Sequence, residues 1–146
     1  MKKSQRFTTL AELAKNKEQQ AAIALGTSNR IHSDNIKKLE SLKRYRLEYL
    51  NRFKLEGQSG MDVLSMQTYN NFIENIEQAI NNQKLQIIES EQRCKESQKH
   101  WQAVHSKTEI MNITVERYKN TELKEDERLE QKETDDRPHK TQSISE

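Results

Sequence analysis

The groups in this chain with the reach for chemistry are few in kind: the single Cys94, histidines at 100 and 105, the lone Trp101 and 23 Asp and Glu residues. None falls in a pattern that a reaction needs. Partners on one helical face recur three or four residues apart, whereas His100 and His105 are five apart, so no shared metal site is expected. HExxH, CxxC and the glycine-rich phosphate loop are all absent from the sequence. One cysteine allows no intrachain disulfide and gives no sign of an oxidising compartment. The carboxylates are interspersed with Lys and Arg, as on solvated helix faces, rather than paired as an acid–base couple. No catalytic residue, cofactor or metal is assigned, and the chain is not expected to be an enzyme. What remains is recognition, and that depends on which surfaces the helices leave open.

Between Met66 and Leu129 a run of alternating three- and four-residue steps covers 19 positions, of which 13 are apolar: Met66, Tyr69, Ile73, Ile76, Ile80, Ile87, Cys94, Trp101, Val104, Met111, Val115, Tyr118 and Leu129. A period of 3.5 keeps one stripe on a partner helix while two helices supercoil. A stripe this narrow encloses no pocket, and Trp101 on it is expected to be packed core. The composition fits: 32% of residues are hydrophobic and 33% charged, with only three Gly and one Pro to interrupt a helix. A globular domain is normally about 45–50% apolar. The expected fold class is all-α, a long antiparallel two-helix coiled-coil hairpin forming a single elongated unit over residues 1–146.

Charge is graded along the chain. Residues 1–60 carry 13 Lys/Arg against 6 Asp/Glu, and residues 121–146 carry 5 against 9. Opposite signs favour antiparallel apposition. The basic segment intersperses its acids and shows no base-reading motif, so no nucleic acid is expected as a partner. The opening MKKSQRFTTLAELAK has no apolar run of signal-peptide length. Nor does any stretch approach the roughly 20 apolar residues that a membrane span requires. A cytoplasmic protein without direct membrane insertion is expected.

Gly57-Gln58-Ser59-Gly60 is the one clear turn signal. It sets helix one at about 4–56, the turn at 57–61 and helix two at about 62–136, with 137–146 disordered beyond Pro138. Ser59 or Ser65 is a candidate cap for helix two, with Asp62 favourable near its start. At 1.5 Å per residue the helices reach about 80 Å and 110 Å. Roughly the last 20 residues of helix two should then pass the start of helix one.

Helix one offers Phe7, Leu10, Ala14, Ala21, Ala24 and Ile31 at seam spacing, interrupted by Lys17 and Ser28. Further on it carries two stripes: Ile36, Leu39, Leu50 and Phe53, and then Leu42, Tyr45 and Tyr49, with Lys38 extending the second. On helix two, Phe72, Ile76, Ala79 and Gln83 also run beside the seam. With a turn near 58, position 45 lies opposite the low seventies. Both surplus stripes then fall at one height and form an exposed patch of Leu42, Tyr45, Tyr49, Phe72, Ile76 and Ala79, a pattern that marks partner sites.

These residues also carry a resemblance. LxxYRxxYxxxF (Leu42, Tyr45, Arg46, Tyr49, Phe53), a glycine turn and YNNFIENIEQAINNQ (Tyr69 to Gln83) resemble the flagellar export protein FliJ family. FTTLAELAKNKEQQAA from Phe7, Trp101 and ERLEQKETDD from Glu127 are similar to it as well, so the likeness spans nearly the whole chain. It implies a non-enzymatic part of the flagellar type III export machine, resembling the central stalk of rotary ATP synthases. Such a protein inserts into the hexameric ring of the export ATPase FliI, promotes its assembly and activity, contacts the export-gate protein FlhA and binds export chaperones. It would sit at the cytoplasmic face of the inner membrane through that apparatus. The resemblance puts the gate contact on Leu42, Tyr45, Tyr49, Phe72, Ile76 and Ala79, with Gln83 continuing the stripe as a polar side chain. Ring insertion falls to the end bearing both termini, with Phe7, Leu10, Leu13, Tyr118, Leu123 and Leu129 as candidates. The alternative is a generic coiled-coil adaptor or homodimeric scaffold, with Leu42, Tyr45 and Tyr49 as a self-association face.

Overall fold

In a computed structural model that describes residues 2–137, two helices account for nearly the whole chain: α1, Lys3–Gln58, and α2, Val63–Asp136. Described residues contain no strand, and the architecture is the expected all-α helical hairpin. The segment expected to be disordered, apart from Arg137, lies outside the described residues.

The turn is tighter and later than the glycine pair suggests. Gly57 stays helical, and α1 ends where Ser59 N–H donates to Glu56 O (3.2 Å) and Gly60 N–H to Gly57 O (3.4 Å). Among the described residues only Gly60 adopts the left-handed backbone, at φ 90, where a Cβ would be strained. The cap of α2 is Asp62, which displaces both serine candidates: its Oδ1 accepts from Ser65 N–H at 2.8 Å. The Ser65 hydroxyl first, and then that amide contact, hold the Asp62 carboxyl below its ordinary range. Ser59 instead donates its hydroxyl back to Glu56 O (3.1 Å). Asp wins the cap because its carboxylate also meets the positive end of the helix dipole.

By internal packing the chain falls into two compact units: residues up to Glu18 with those from Ala103 onward, and Gln19–Gln102. In both, α1 and α2 pack antiparallel, as Phe7 on Tyr118 and Tyr49 on Phe72 show. Along α2 the predicted ladder holds throughout Tyr69 to Glu122: each of its positions is buried or half-buried. Trp101 and Cys94 are among them. Met66 and Leu129, at the ladder's ends, are exposed.

The α1 face differs from the sequence reading. Its inward positions run Phe7, Ala11, Ala14, Glu18, Ala21, Leu25, Ser28 and His32, then Asn35, Leu39, Leu42, Arg46, Tyr49 and Phe53. Leu10, Ala24 and Ile31 face out, and the two stripes past Ile31 merge into one seam flanked by Tyr45 and Leu50. The reason is phase continuity. A helix of period 3.5 keeps one phase along its length, and Leu39, Leu42, Tyr49 and Phe53 fix that phase. Upstream it brings in Glu18, Ser28, His32 and Asn35, and α2 supplies each with a partner.

Those partners are polar groups of the opposite seam. In the Gln19–Gln102 unit, Ser28 Oγ lies 3.0 Å from Ser97 Oγ, and His32 Nδ1 lies 2.7 Å from Ser90 Oγ. Gln83 Nε2 donates to Asn35 O at 2.9 Å. Since the Ser90 hydroxyl donates to Ile87 O (3.0 Å), it receives its bond from His32 Nδ1–H. Apolar burial is thin. Ala11, Ala14, Ala21, Ile76, Ile80 and Val115 are the buried apolar residues described, and no described side chain is fully buried. Every buried side-chain polar atom described has a partner, which is what lets a seam carry so many without the penalty of an orphaned group.

Candidate docking surfaces

In the Gln19–Gln102 unit an aromatic ladder grows from the seam. Tyr49 stacks on Phe72 with ring centroids 4.0 Å apart and an interplanar angle of 25°. Tyr45 leans on both, 5.2 Å from Tyr49 and 6.0 Å, edge on, from Phe72. Phe53 meets Tyr69 edge on at 5.4 Å, and Tyr69 OH donates to Glu56 Oε2 at 2.8 Å. Such offset and edge contacts are the arrangements ring quadrupoles favour. The contact with Tyr49 raises the Tyr45 hydroxyl above its ordinary pKa, and the bond to Glu56 does the same for Tyr69. Both phenols therefore stay neutral donors across the neutral range.

Of the seven gate-contact candidates, the ladder holds Tyr45, Tyr49 and Phe72 together, with Leu42 and Ala79 half-buried beside them. Tyr45 is the exposed member, at 46%. Two expectations need correction. Ile76 is not an exposed patch residue but one of the most buried side chains, at 6%. Gln83 spends its amide on Asn35 across the seam rather than extending an outer stripe. Arg46, which the sequence reading placed only within a motif, bonds Glu77 at 2.9 Å and anchors the other flank.

The second surface lies in the unit formed by the two chain ends. Phe7 stacks on Tyr118 at 4.9 Å and 19°, with Lys3 Nζ 5.9 Å above the Tyr118 ring. Next to it, Glu122 reaches across to the start of α1. It accepts from Ser4 N–H at 3.1 Å and from Ser4 Oγ–H at 2.6 Å, so a carboxylate from α2 satisfies one of the orphan amides at the start of α1. These bonds lower the Glu122 carboxyl. Lys2 pairs with Asp126 at 3.2 Å. Past this point every described residue from Glu127 to Arg137 is exposed. The stretch of α2 beyond α1 is thus about half the roughly 20 residues that helix length suggests.

Deeper in this unit, His105 is held between two carboxylates: Nδ1 lies 2.5 Å from Glu18 Oε1, and Nε2 lies 3.1 Å from Glu109 Oε1. With both carboxylates ionised, each ring nitrogen has an acceptor to donate to, an arrangement that favours imidazolium. The bond to Glu18 accordingly raises His105 and lowers Glu18. Thr108 donates to Ala14 O (3.2 Å) nearby. Of the ring-contact candidates, Phe7 and Tyr118 are spent on each other, while Leu10, Leu13, Leu123 and Leu129 are exposed by 46–59%. The sequence pattern gave no sign of the Glu122 cap or the His105 clasp, because both depend on which α2 residue meets each α1 position.

No described helix is long and apolar enough to cross a membrane. Among the described residues no group of His, Cys, Asp and Glu is arranged to hold a metal. Paired helices with a half-polar seam and apolar residues left on the outside define a coiled-coil interaction protein. Comparison with curated proteins finds no match. The model of the flagellar FliJ protein family, in contrast, matches residues 2–140, and the chain belongs to that family. It is a component of flagellum biogenesis and flagellar protein export, in a family of non-catalytic export proteins.

Proposed function

We propose that this protein acts as the stalk-like coupling element of flagellar export. In this reading its terminal unit enters the hexameric ring of the export ATPase FliI and its Gln19–Gln102 unit meets the export gate protein FlhA, with export chaperones as further partners. The single observation that carries the reading is that a member of the FliJ family leaves apolar side chains uncovered in both units: Leu10, Leu13, Leu123 and Leu129 in one, Tyr45 on its ladder in the other. The chain brings no chemistry. It acts by binding some ring conformations better than others, which shifts their populations by the difference in contact free energy. This places it at the cytoplasmic face of the membrane through its partners.

The test is ATP hydrolysis by purified export ATPase with and without the protein, using a Leu10/Leu13/Leu123→Ala variant that keeps the Phe7–Tyr118 stack. Stimulation by the parent chain that is lost in the variant, with helicity retained by circular dichroism, is expected. An ATPase competent for hexamer formation that ignores the parent chain would sink the reading. For the gate, Tyr45→Ala should weaken capture by the purified cytoplasmic part of FlhA while leaving ATPase stimulation unchanged.

A further inference from the structure

The Gln19–Gln102 unit has a second side. Successive residues on a helix turn by about 100°, so Tyr45 and Lys43 fall on opposite flanks of the seam that holds Leu42, Arg46 and Tyr49. On the flank away from Tyr45, a groove of about 530 Å³ runs between the helices, lined by Lys43, Arg46 and Leu47 of α1 and Glu77, Ile80 and Lys84 of α2. It shares no lining residue with the depression at Tyr45, which is formed by Ser41, Arg44, Tyr45 and Glu48.

Three properties of this groove bear on what it fits. Its floor is apolar: Ile80 is buried at the base and Leu47, 59% exposed, stands over it. Its rim is cationic, with Lys43, Arg46 and Lys84 against the one carboxylate of Glu77. That carboxylate is already engaged by Arg46 at 2.9 Å, and among the described residues neither Lys43 nor Lys84 has an ion-pair partner. The two uncompensated ammoniums flank an apolar floor, and Leu47 stands one turn along α1 from Lys43. An inorganic anion would use the rim and leave Leu47 in water. A plain apolar helix would use the floor and leave the lysines uncompensated. An amphipathic helix with Glu or Asp and Leu on one face satisfies both, in the manner of helix-in-groove recognition.

We propose that this flank is a docking site for an acidic amphipathic helix of a partner protein, seated between Lys43 and Lys84 with an apolar side chain on Leu47 and Ile80. The inference does not draw on the ring or gate assignments. It gives one unit two separate surfaces, the phenol of Tyr45 on one flank and the cationic groove on the other.

The probe is a synthetic helical peptide carrying Glu and Leu on one face at i, i+3, i+4 and i+7, titrated into the isotopically labelled full chain and followed by amide chemical shifts. Shifts centred on Lys43, Leu47, Ile80 and Lys84 are expected, with Tyr45 and Phe72 unmoved. Dissociation should rise at least tenfold in both K43E/K84E and Leu47→Ser, whose helicity is checked by circular dichroism, and stay within twofold in Tyr45→Ala. Binding equally strong after Glu→Gln replacement in the peptide would overturn the proposal. So would shifts spread over both flanks, or no shifts at all. Displacement of the peptide by inorganic phosphate, with Leu→Ser peptides binding as well as the parent, would reduce the site to an anion cleft. Sedimentation showing a dimer that Leu47→Ser abolishes would assign the flank to a second copy and overturn the proposal as well.

Discussion

Ile76→Ala and Ile88→Ala are the same change on the same helix of the same unit, yet the structure assigns them opposite outcomes. Ile76 is 6% exposed and Ile88 is 62% exposed. Each replacement removes three side-chain carbons, worth about 0.8 kcal/mol apiece when buried. For Ile76 that amounts to about 2.5 kcal/mol, near the lower end of the range for large-to-small core changes because a two-helix seam can close partly around the gap. For Ile88 the loss should stay within about 0.5 kcal/mol, since alanine is also the better helix former. At roughly 4 °C per kcal/mol for a chain of this size, Ile76→Ala should melt about 10 °C earlier and Ile88→Ala within about 2 °C of the parent. Thermal melts at 222 nm read both. Equal shifts, or an Ile76→Ala melt unchanged within about 2 °C, would refute the burial assigned to the seam. Any loss of gate binding in Ile76→Ala must then be judged against stability, whereas Tyr45→Ala reports on the surface.

Gly60→Ala places a Cβ on a φ of 90 in open space, so its cost of about 1 kcal/mol comes from backbone strain rather than from a clash; chemical denaturation should show it, with helicity unchanged. The lowered Glu122 carboxyl stabilises the chain above its ordinary pKa, and this contribution is lost as pH falls through its depressed folded value. The protection factor of the Ser4 amide, taken relative to its intrinsic exchange rate at each pH, should fall on acidification, and Glu122→Gln should remove most of that pH dependence. The raised His105 adds stability that is complete below the ordinary imidazole value and is lost as pH rises through its folded pKa; the lowered Glu18 adds stability that is lost on the acid side. The clasp is therefore fullest between the two ordinary values. Imidazole resonances of the full chain should show His105 titrating above its usual range, and Glu18→Gln should return it toward that range.

Helix α2 was readable because its ladder is dense in Ile, Val and aromatic residues, so period and phase both survive counting. Helix α1 was readable in extent but not in phase. Leu10 and Ile31 outscore Ala11 and His32 on hydrophobicity, and only the packing against α2 reverses that ranking. Glu18 is admitted by His105, His32 by Ser90 and Asn35 by Gln83. A sequence viewed one helix at a time cannot price a buried polar group, because its cost is set by the group opposite. The same holds for the docking surfaces. Aromatic spacing pointed to Tyr45, Tyr49 and Phe72, but Ile76 and Gln83 could be assigned to the seam only once both helices were in register.

That register has a mechanical corollary. A uniform leucine seam can slip by one heptad and meet an equivalent apolar surface. Here a seven-residue slide would carry Asn35 from Gln83 to Ile76 in one direction, or Ser28 from Ser97 to Val104 in the other, stranding a polar group against an aliphatic side chain each time. Three hydrogen-bonded steps, Ser28–Ser97, His32–Ser90 and Asn35–Gln83, work like the wards of a key. Within this unit these bonds single out one register of α1 against α2.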